Sequence, residues 1–567
     1  MIVNACKERS LPLGYARGSG GGCLCLFMLG VTQIDSVRWD LDFTRFANLG
    51  RRGSMADVDL DISKNRRKEI IEISEELFGK ENVAPMATFN TLSTKVAIRD
   101  IGKVLNEKND SPYKDQIPYS VRNAVANAIP TVKTLNDLGE EEEKDILLKE
   151  LISNDTKLQV YYDKFPLWFQ YVMKLEGLPK SRGRHASGTL ITPLPISHYA
   201  PLCLDNEKNP MIQLEMHSAQ DTGWDGLSLV KMDYLGLETL DIIDDTLKAS
   251  NLTWQDVDIN HLNIGDNKVF TDVYQKGNTV GIFQFESIEA RNMCIEAKVS
   301  DIEDCIVINA ANRPGTKDQF PDYCLNKLNP GKIEYIHPDL ANLFGKTRGV
   351  LLYQEQALQL FGYAGFSEET RDVARRAIGK KKKDVMASLK EQLRTGLKEK
   401  KWTERQINAV WDLLEKQANY SFNRSHACSY ALLSYLTAWL KTYYPVEFMS
   451  SFMTAKSNDK AKLNLAIIEC ERLNVKILPP NINLSDINFR PIPEKREILF
   501  GFSAINGIGQ SLSNDIIANR NNGKFKSLKD FTDRVQISTS SVVTLIKAGA
   551  IPCKDKEKCI ITYLKST

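Results

Sequence analysis

A chain of 567 residues exceeds one typical hydrophobic core and implies about three to five domains. Hydrophobic residues are 42% and charged residues 26%, a globular balance that excludes disordered and fibrous classes. The formal net charge of +2 excludes a uniformly basic surface, so any nucleic-acid contact must come from local clusters. Two such clusters are Lys64-Asn65-Arg66-Arg67-Lys68 and Lys380–Lys383; taken alone, each reads as a solvated face. The eleven cysteines are odd in number and form no C-x-x-C pair, which argues against a disulfide framework or a zinc ribbon and for a reducing compartment. The apolar run Cys23–Val31 is about half of the ~20 residues a membrane span needs.

In chain order, Met1–Glu8 reads as the tail of an amphipathic helix without an N-cap, as if the chain began inside a domain. Cys23–Val31 is expected to be a buried helix behind a glycine-rich loop. A strand is expected at Ala56–Ile62 and a helix at 64–78. Residues 89–186 read as helical and mixed in charge, with Glu140–Lys144 as a solvated stretch. Strand-like runs return at Thr189–Thr192 and Leu227–Tyr234, and longer helices follow at Glu355–Tyr363, Glu368–Ile378 and Ala427–Tyr444. A last unit holds a Gly507-Ile508-Gly509 turn between helices, the later of them at Ser541–Lys547 and stopped by Gly549. The order suggests one α/β domain interrupted by a helical insertion, followed by mostly helical text.

In a strand, residues i and i+2 share a face. Asp57, Asp59 and Asp61 therefore project together while Val58, Leu60 and Ile62 face a core. Like charges crowded in this way repel, and a divalent cation is the simplest compensating partner. The alternative is an acidic edge strand that discourages aggregation. A second strand-like run, Leu229–Leu235, carries Asp233. A third carboxylate from a separate strand would complete a two-metal site for in-line phosphoryl displacement. The loop Gly14–Gly22 precedes these acids by about 40 residues. Its glycines suit close approach to phosphate, and a flexible connector is the plainer reading. A glycine-serine loop followed by an Asp-x-Asp strand is the layout of a nucleotidyltransferase.

These motifs, with others in order, resemble the alpha (catalytic) subunit of bacterial DNA polymerase III, the C family of DNA polymerases. The matching text is Arg17-Gly-Ser-Gly20, Phe43-Thr-Arg45-Phe46, Asp57-Val-Asp59-Leu-Asp61, Thr88–Thr91, Lys95–Asp100, Lys231–Leu237 and Gly281–Ser287. It continues through Arg313-Pro-Gly, Leu352–Gln356, the Arg375-Arg376 run, Phe422–His426 and Ile477–Asn483. The resemblance implies α/β plus α architecture. A polymerase-beta-like nucleotidyltransferase palm would come from residues 1–88 and 187–238, with a helical thumb at 89–186. Large, mostly helical fingers would span 239–495, with a helix-hairpin-helix DNA-binding unit and tail at 496–567.

The resemblance further implies that Asp57, Asp59 and Asp233 are catalytic metal ligands for two Mg2+ ions, with Asp61 as a neighbour. It implies nucleotide binding by Arg17, Gly18, Ser19, Arg45, Lys231, Arg375, Arg376 and His426, and DNA binding by Lys95, Arg99, Gly507 and Gly509. Ser367 can cap the helix carrying Arg375 and Arg376, on which Val373, Ala374, Ala377 and Ile378 would form an apolar stripe. Tyr353 is expected to be packing. The implied activity is template-directed addition of dNTPs to a primer 3′-hydroxyl in DNA replication, in the cytoplasm of a bacterium or of an infected bacterial cell. The partners would be primer-template DNA and dNTPs, with no membrane.

The sequence departs from the family pattern at Ala16, Cys23, Ala56 and Asn312. It also holds no text matching the family's N-terminal phosphoesterase-like domain or its C-terminal oligonucleotide-binding fold. Clamp and exonuclease contacts are accordingly not expected of it. The alternative to an active polymerase is an incomplete or inactive DNA-binding or assembly subunit, with a separate chain supplying the other domains.

Overall fold

The structure is a computed structural model that describes residues 1–48, 58–135, 141–152, 156–214, 229–313, 316–379, 383–417 and 421–566. The chain divides into two compact units: Met1–Ile73 with Tyr234–Thr567, and Ser74–Asp233.

The first unit opens with α1 (Ile2–Glu8), which buries Val3 and Cys6. A 3₁₀ turn over Gly18–Gly22 leads into α2 (Leu24–Met28). The expectation of a buried helix at 23–31 is corrected here: α2 has five residues and buries none of them, and Met28 and Leu29 are 76% and 70% exposed. The run folds back instead of extending, with Gly30 at φ +68° and the Gln33 amide donating to the Tyr15 carbonyl. Apolar content alone does not bury a segment that has no room for an amphipathic face. The alternating acids form β1 (Asp59–Ser63); Asp57 lies outside the described residues. α3 (Arg67–Phe78) follows.

The second unit is a mixed sheet beside a helical cluster. Its strands are β2 (Val83–Thr91), β5 (Pro179–Ile191), β6 (Leu202–Leu204), β7 (Pro210–Ile212) and the first residues of β8 (Lys231–Leu237). They run in the order β8-β5-β2-β7-β6. β5 is antiparallel to both β2 and β8, and it sets Gly188 opposite Asp233. Met86, Leu190 and Ile212 fill its core. Between β2 and β5 come α4 (Thr94–Glu107), α5 (Tyr119–Ala128) and α6 (Pro166–Leu175). Trp168 is buried among them and donates its indole N–H to the Ile98 carbonyl at 3.1 Å.

The text at 89–186 is therefore not wholly helical. β2 and β5 extend into it, and β3 (Thr131–Leu135) pairs antiparallel with β4 (Glu141–Asp145). The stretch expected to be solvated and helical contains a strand whose backbone hydrogen bonds are met by a partner close in sequence.

β8 returns the chain to the first unit, where its second half lies beside β1; a side chain on Gly236 would press on the Lys64 backbone at 3.2 Å. α7 (Glu238–Ala249) follows, then α8 (Gln354–Tyr363), α9 (Glu368–Gly379) and α10 (Arg424–Tyr443). α10 is buried nearly throughout, its polar side chains included. Its Lys441 is buried with it, the ammonium donating to the carbonyls of Asn278 and Val280 and to Glu469 at 2.6–2.8 Å. A separate core joins α8 and α9 through Phe361, Ala374 and Ile378. On α9, Ala374, Ala377 and Ile378 are buried as expected, but Val373 is 47% exposed and falls outside the stripe.

A small sheet of β9 (Lys476–Leu478), β10 (Arg490–Ile492) and β11 (Glu497–Leu499) precedes the last core, which runs from Ile482 to Tyr563. That core carries α11 (Gln510–Asn521) and α12 (Thr539–Ala548), the latter closed by Gly549 at φ +84°. Among the described residues no helix is long and apolar enough to cross a membrane.

Candidate active site

The glycine-rich loop lies between β1 and α10, and its glycines are needed mainly for packing. A Cβ on Gly14 would fall 2.7 Å from the Asp61 Cβ. A Cβ on Gly21 would meet the Ser429 hydroxyl at 3.0 Å, and one on Gly22 the Ser425 hydroxyl and the Asp42 carbonyl at 2.9 Å. Gly20, Gly21 and Gly22 are buried; Gly18 and Ser19 are half-buried. Gly18 takes φ +59°, in the left-handed region, with the Asp59 carboxylate 3.5 Å from where its Cβ would stand. This part of the loop is neither a flexible connector nor open along its length to a ligand.

On β1, Asp59 is half-buried and Asp61 is buried. The compensation that the crowded acids require is supplied, for Asp61, by protein. The Arg17 guanidinium donates to Asp61 Oδ1 at 3.1 Å, with the two side chains only 4% and 1% exposed. The same Arg17 nitrogen donates to the Tyr430 hydroxyl at 2.5 Å. Arg17 thus offsets the Asp61 charge from within the protein, so a cation is not the sole compensation open to the acidic strand.

His426 sits in the first turn of α10, which Asn423 caps by accepting from the His426 amide at 2.7 Å. The buried Glu355 carboxylate accepts the Arg424 amide, two residues earlier, at 3.0 Å. The Gly18 amide donates to His426 Nδ1 at 3.1 Å, so the imidazole proton resides on Nε2. Burial, reinforced by Arg17 and Arg313, pushes the imidazole pKa down to about 3, which keeps it a neutral acceptor. Its ring lies 4.1 Å from that of Tyr430. Arg45 donates from Nε to Gln354 Oε1 at 2.7 Å, and Gln354 in turn donates to the Ser421 carbonyl. Tyr353 is buried in packing. Arg375 is half-buried on α9; the side chain of Arg376 lies outside the described ones.

In the second unit, Asp233 Oδ2 pairs with the Lys231 ammonium at 2.9 Å and Oδ1 accepts from the Ser187 hydroxyl at 3.0 Å. His185 Nδ1 accepts the amides of Ser187 and Gly188 at 3.2 and 2.8 Å, which shapes the strand at that point. Neither Ser187 nor His185 stands out in the sequence, since only the β5–β8 register places Ser187 at the carboxylate. Lys95 and Arg99 are half-buried on α4, where Arg99 donates to Asn123 and Asn127. Gly507, at φ +84°, and Gly509, which begins α11, have open space where a side chain would be.

The structure thus gathers Arg17, Gly18, Asp59, Asp61 and His426 in one unit and Lys231 with Asp233 in the other. Carboxylate oxygens are the donors that Mg2+ prefers, and half-buried Asp59 fits such a role. Among the described residues, no group of three or more His, Cys, Asp or Glu side chains is arranged to hold a metal.

Three family models match consecutive parts of the chain. The bacterial DNA polymerase III alpha NTPase domain matches residues 1–236, the bacterial DNA polymerase III alpha subunit finger domain residues 239–401, and a helix-hairpin-helix motif residues 474–559. The DNA polymerase III subunit alpha of Xylella fastidiosa is 35% identical over 563 residues, covering 96% of this chain and 45% of the relative. That of Aquifex aeolicus is 33% identical over 581 residues, covering 98% and 48%. That of Helicobacter pylori is 35% identical over 576 residues, covering 97% and 46%. The chain therefore spans a little under half the length of these relatives. With two of the subunit's domain models matched in order and relatives aligned across nearly all its residues, the chain belongs to the family of alpha subunits of bacterial DNA polymerase III.

Proposed function

We propose that the chain is a DNA-directed DNA polymerase that adds dNTPs to a primer 3′-hydroxyl in DNA replication. The observation that carries this reading is the half-buried Asp59 carboxylate set beside the Gly18 turn, in a chain of this family. In this reading residues 1–88 and 187–238 form the palm, 89–186 the thumb, 239–495 the fingers and 496–567 the DNA-binding unit and tail. Asp57, Asp59 and Asp233 would hold two Mg2+ ions, which when bound supply positive charge to the triphosphate and acidify the primer hydroxyl.

The chain's own groups do the rest. Lys231 neutralises Asp233 until substrate arrives, and Ser187 holds that carboxylate's second oxygen. Arg45, Arg375, Arg376 and Lys231 supply charge to the triphosphate, and Gly18 and Ser19 bring backbone close to it. His426, neutral and in contact with Gly18, stands at the nucleotide end of α10. Lys95 and Arg99 on the thumb, and the open turn at Gly507 and Gly509, hold DNA phosphates without reading sequence. The reaction would take place in the cytoplasm of a bacterial or infected bacterial cell, on primer-template DNA.

The test is primer extension by the purified chain with Mg2+. Asp59→Asn should reduce incorporation by about a thousand-fold or more; equal incorporation by wild type and variant would refute the assignment. A second reading, a DNA-binding assembly subunit without synthesis, draws on the ion pairs that Arg17 makes with Asp61 and Lys231 with Asp233. It predicts primer-template binding that Asp59→Asn leaves intact, with no metal-dependent extension by either protein.

A further inference from the structure

The family resemblance places Arg17 among the nucleotide ligands, but its surroundings give the guanidinium a different task. It is 5% exposed and lies between Asp61 on β1 and Tyr430 on α10. It directly precedes Gly18, whose left-handed turn stands against the Asp59 carboxylate and whose amide is taken by His426. The loop has little slack on either side: a side chain on Gly14 would press on Asp61, and one on Gly21 or Gly22 on Ser429 or Ser425 of α10. A shift of Arg17 must therefore move the Gly18 turn and the acid beside it.

We infer that Arg17 and Tyr430 are positioning residues for the carboxylate strand: Arg17 neutralises Asp61 and withdraws it from metal binding, and the Tyr430 hydroxyl fixes Arg17 so that the Gly18 turn stays against Asp59. The link to metal rests on the polymerase reading; the link to loop geometry does not. The strand thus presents one fewer negative charge than its acids suggest, which limits their mutual repulsion before any cation binds.

Tyr430→Phe removes one hydroxyl and leaves the Arg17–Asp61 pair in place. Arg17→Lys keeps the charge beside Asp61 but cannot reach both partners with a rigid fork. Hydrogen exchange over residues 14–22, Mn2+ titration by electron paramagnetic resonance, and steady-state primer extension are measured on the whole chain. Each single variant should raise exchange in that loop and weaken Mn2+ binding about ten-fold or more, the worth of one hydrogen bond to a charged group. kcat should fall and KM for dNTP should stay unchanged. The double variant should be no worse than either single, because both remove the same link.

Unchanged exchange and Mn2+ affinity would overturn the inference, as would a rise in KM for dNTP alone, the signature of a direct triphosphate ligand. A wild-type chain without primer extension, but with the exchange effects of the variants intact, would refute the polymerase reading and support the link to loop geometry.

Discussion

Acid should loosen the Gly18 turn through one residue, His426. In the folded chain its imidazole is held neutral, with a pKa of about 3 against an ordinary value of 6.5, chiefly by burial. A histidine with a depressed folded pKa contributes its full stability above the unfolded pKa and loses it as pH falls from 6.5 toward 3. Between pH 7.5 and pH 5 the loss is about 2 kcal/mol, or about 30-fold in the opening equilibrium. The loss should be local, because protonation of Nδ1 abolishes the acceptor for the Gly18 amide and places a cation beside Arg17. Hydrogen exchange of residues 14–22 at several pH values, corrected for intrinsic rates, reads this opening. His426→Gln offers an amide oxygen to the same N–H and binds no proton, so its opening should be nearly flat over that range. A flat wild-type profile, or an equal slope in the glutamine variant, would refute the reasoning.

Two further perturbations separate the parts of the site. Arg17→Met removes the guanidinium that pairs with the buried Asp61 carboxylate and should cost about 3–5 kcal/mol in local exchange stability; Arg17→Met with Asp61→Leu should recover most of that, since a buried pair is often replaceable by apolar groups. Local exchange is the measure because a multi-domain chain does not unfold in one step. Ser187→Ala removes the hydroxyl held by Asp233 and should lower kcat for primer extension about ten-fold, with Ser187→Thr restoring most of it; equal loss in both would show that the hydroxyl is not what matters.

Much of the local structure was legible in the sequence. The alternation around Asp59 marks β1, long runs without Gly or Pro punctuation mark most of α8 and α10, and Gly549 marks the end of α12 at a position that requires positive φ. These signals lie within a few residues of one another, so they survive without knowledge of the fold. The errors share an opposite origin. Cys23–Val31 is apolar yet largely exposed, and Val373 lies on a helix face that its apolar neighbours do not extend to cover. Burial depends on what packs opposite, which composition does not state.

The candidate site shows the same division. The sequence by itself determined the inventory: alternating acids, a glycine loop, a third aspartate on another strand, and enough ordered text to name the family. Only the tertiary structure decided which acid stays half-exposed and which is buried against an arginine. Arg17 meets Tyr430 across 413 positions of chain, and Ser187 meets Asp233 across 46 through sheet register. Contacts of that range follow from three-dimensional packing, where one guanidinium can satisfy a strand and a helix at once, and no periodicity along the chain encodes them.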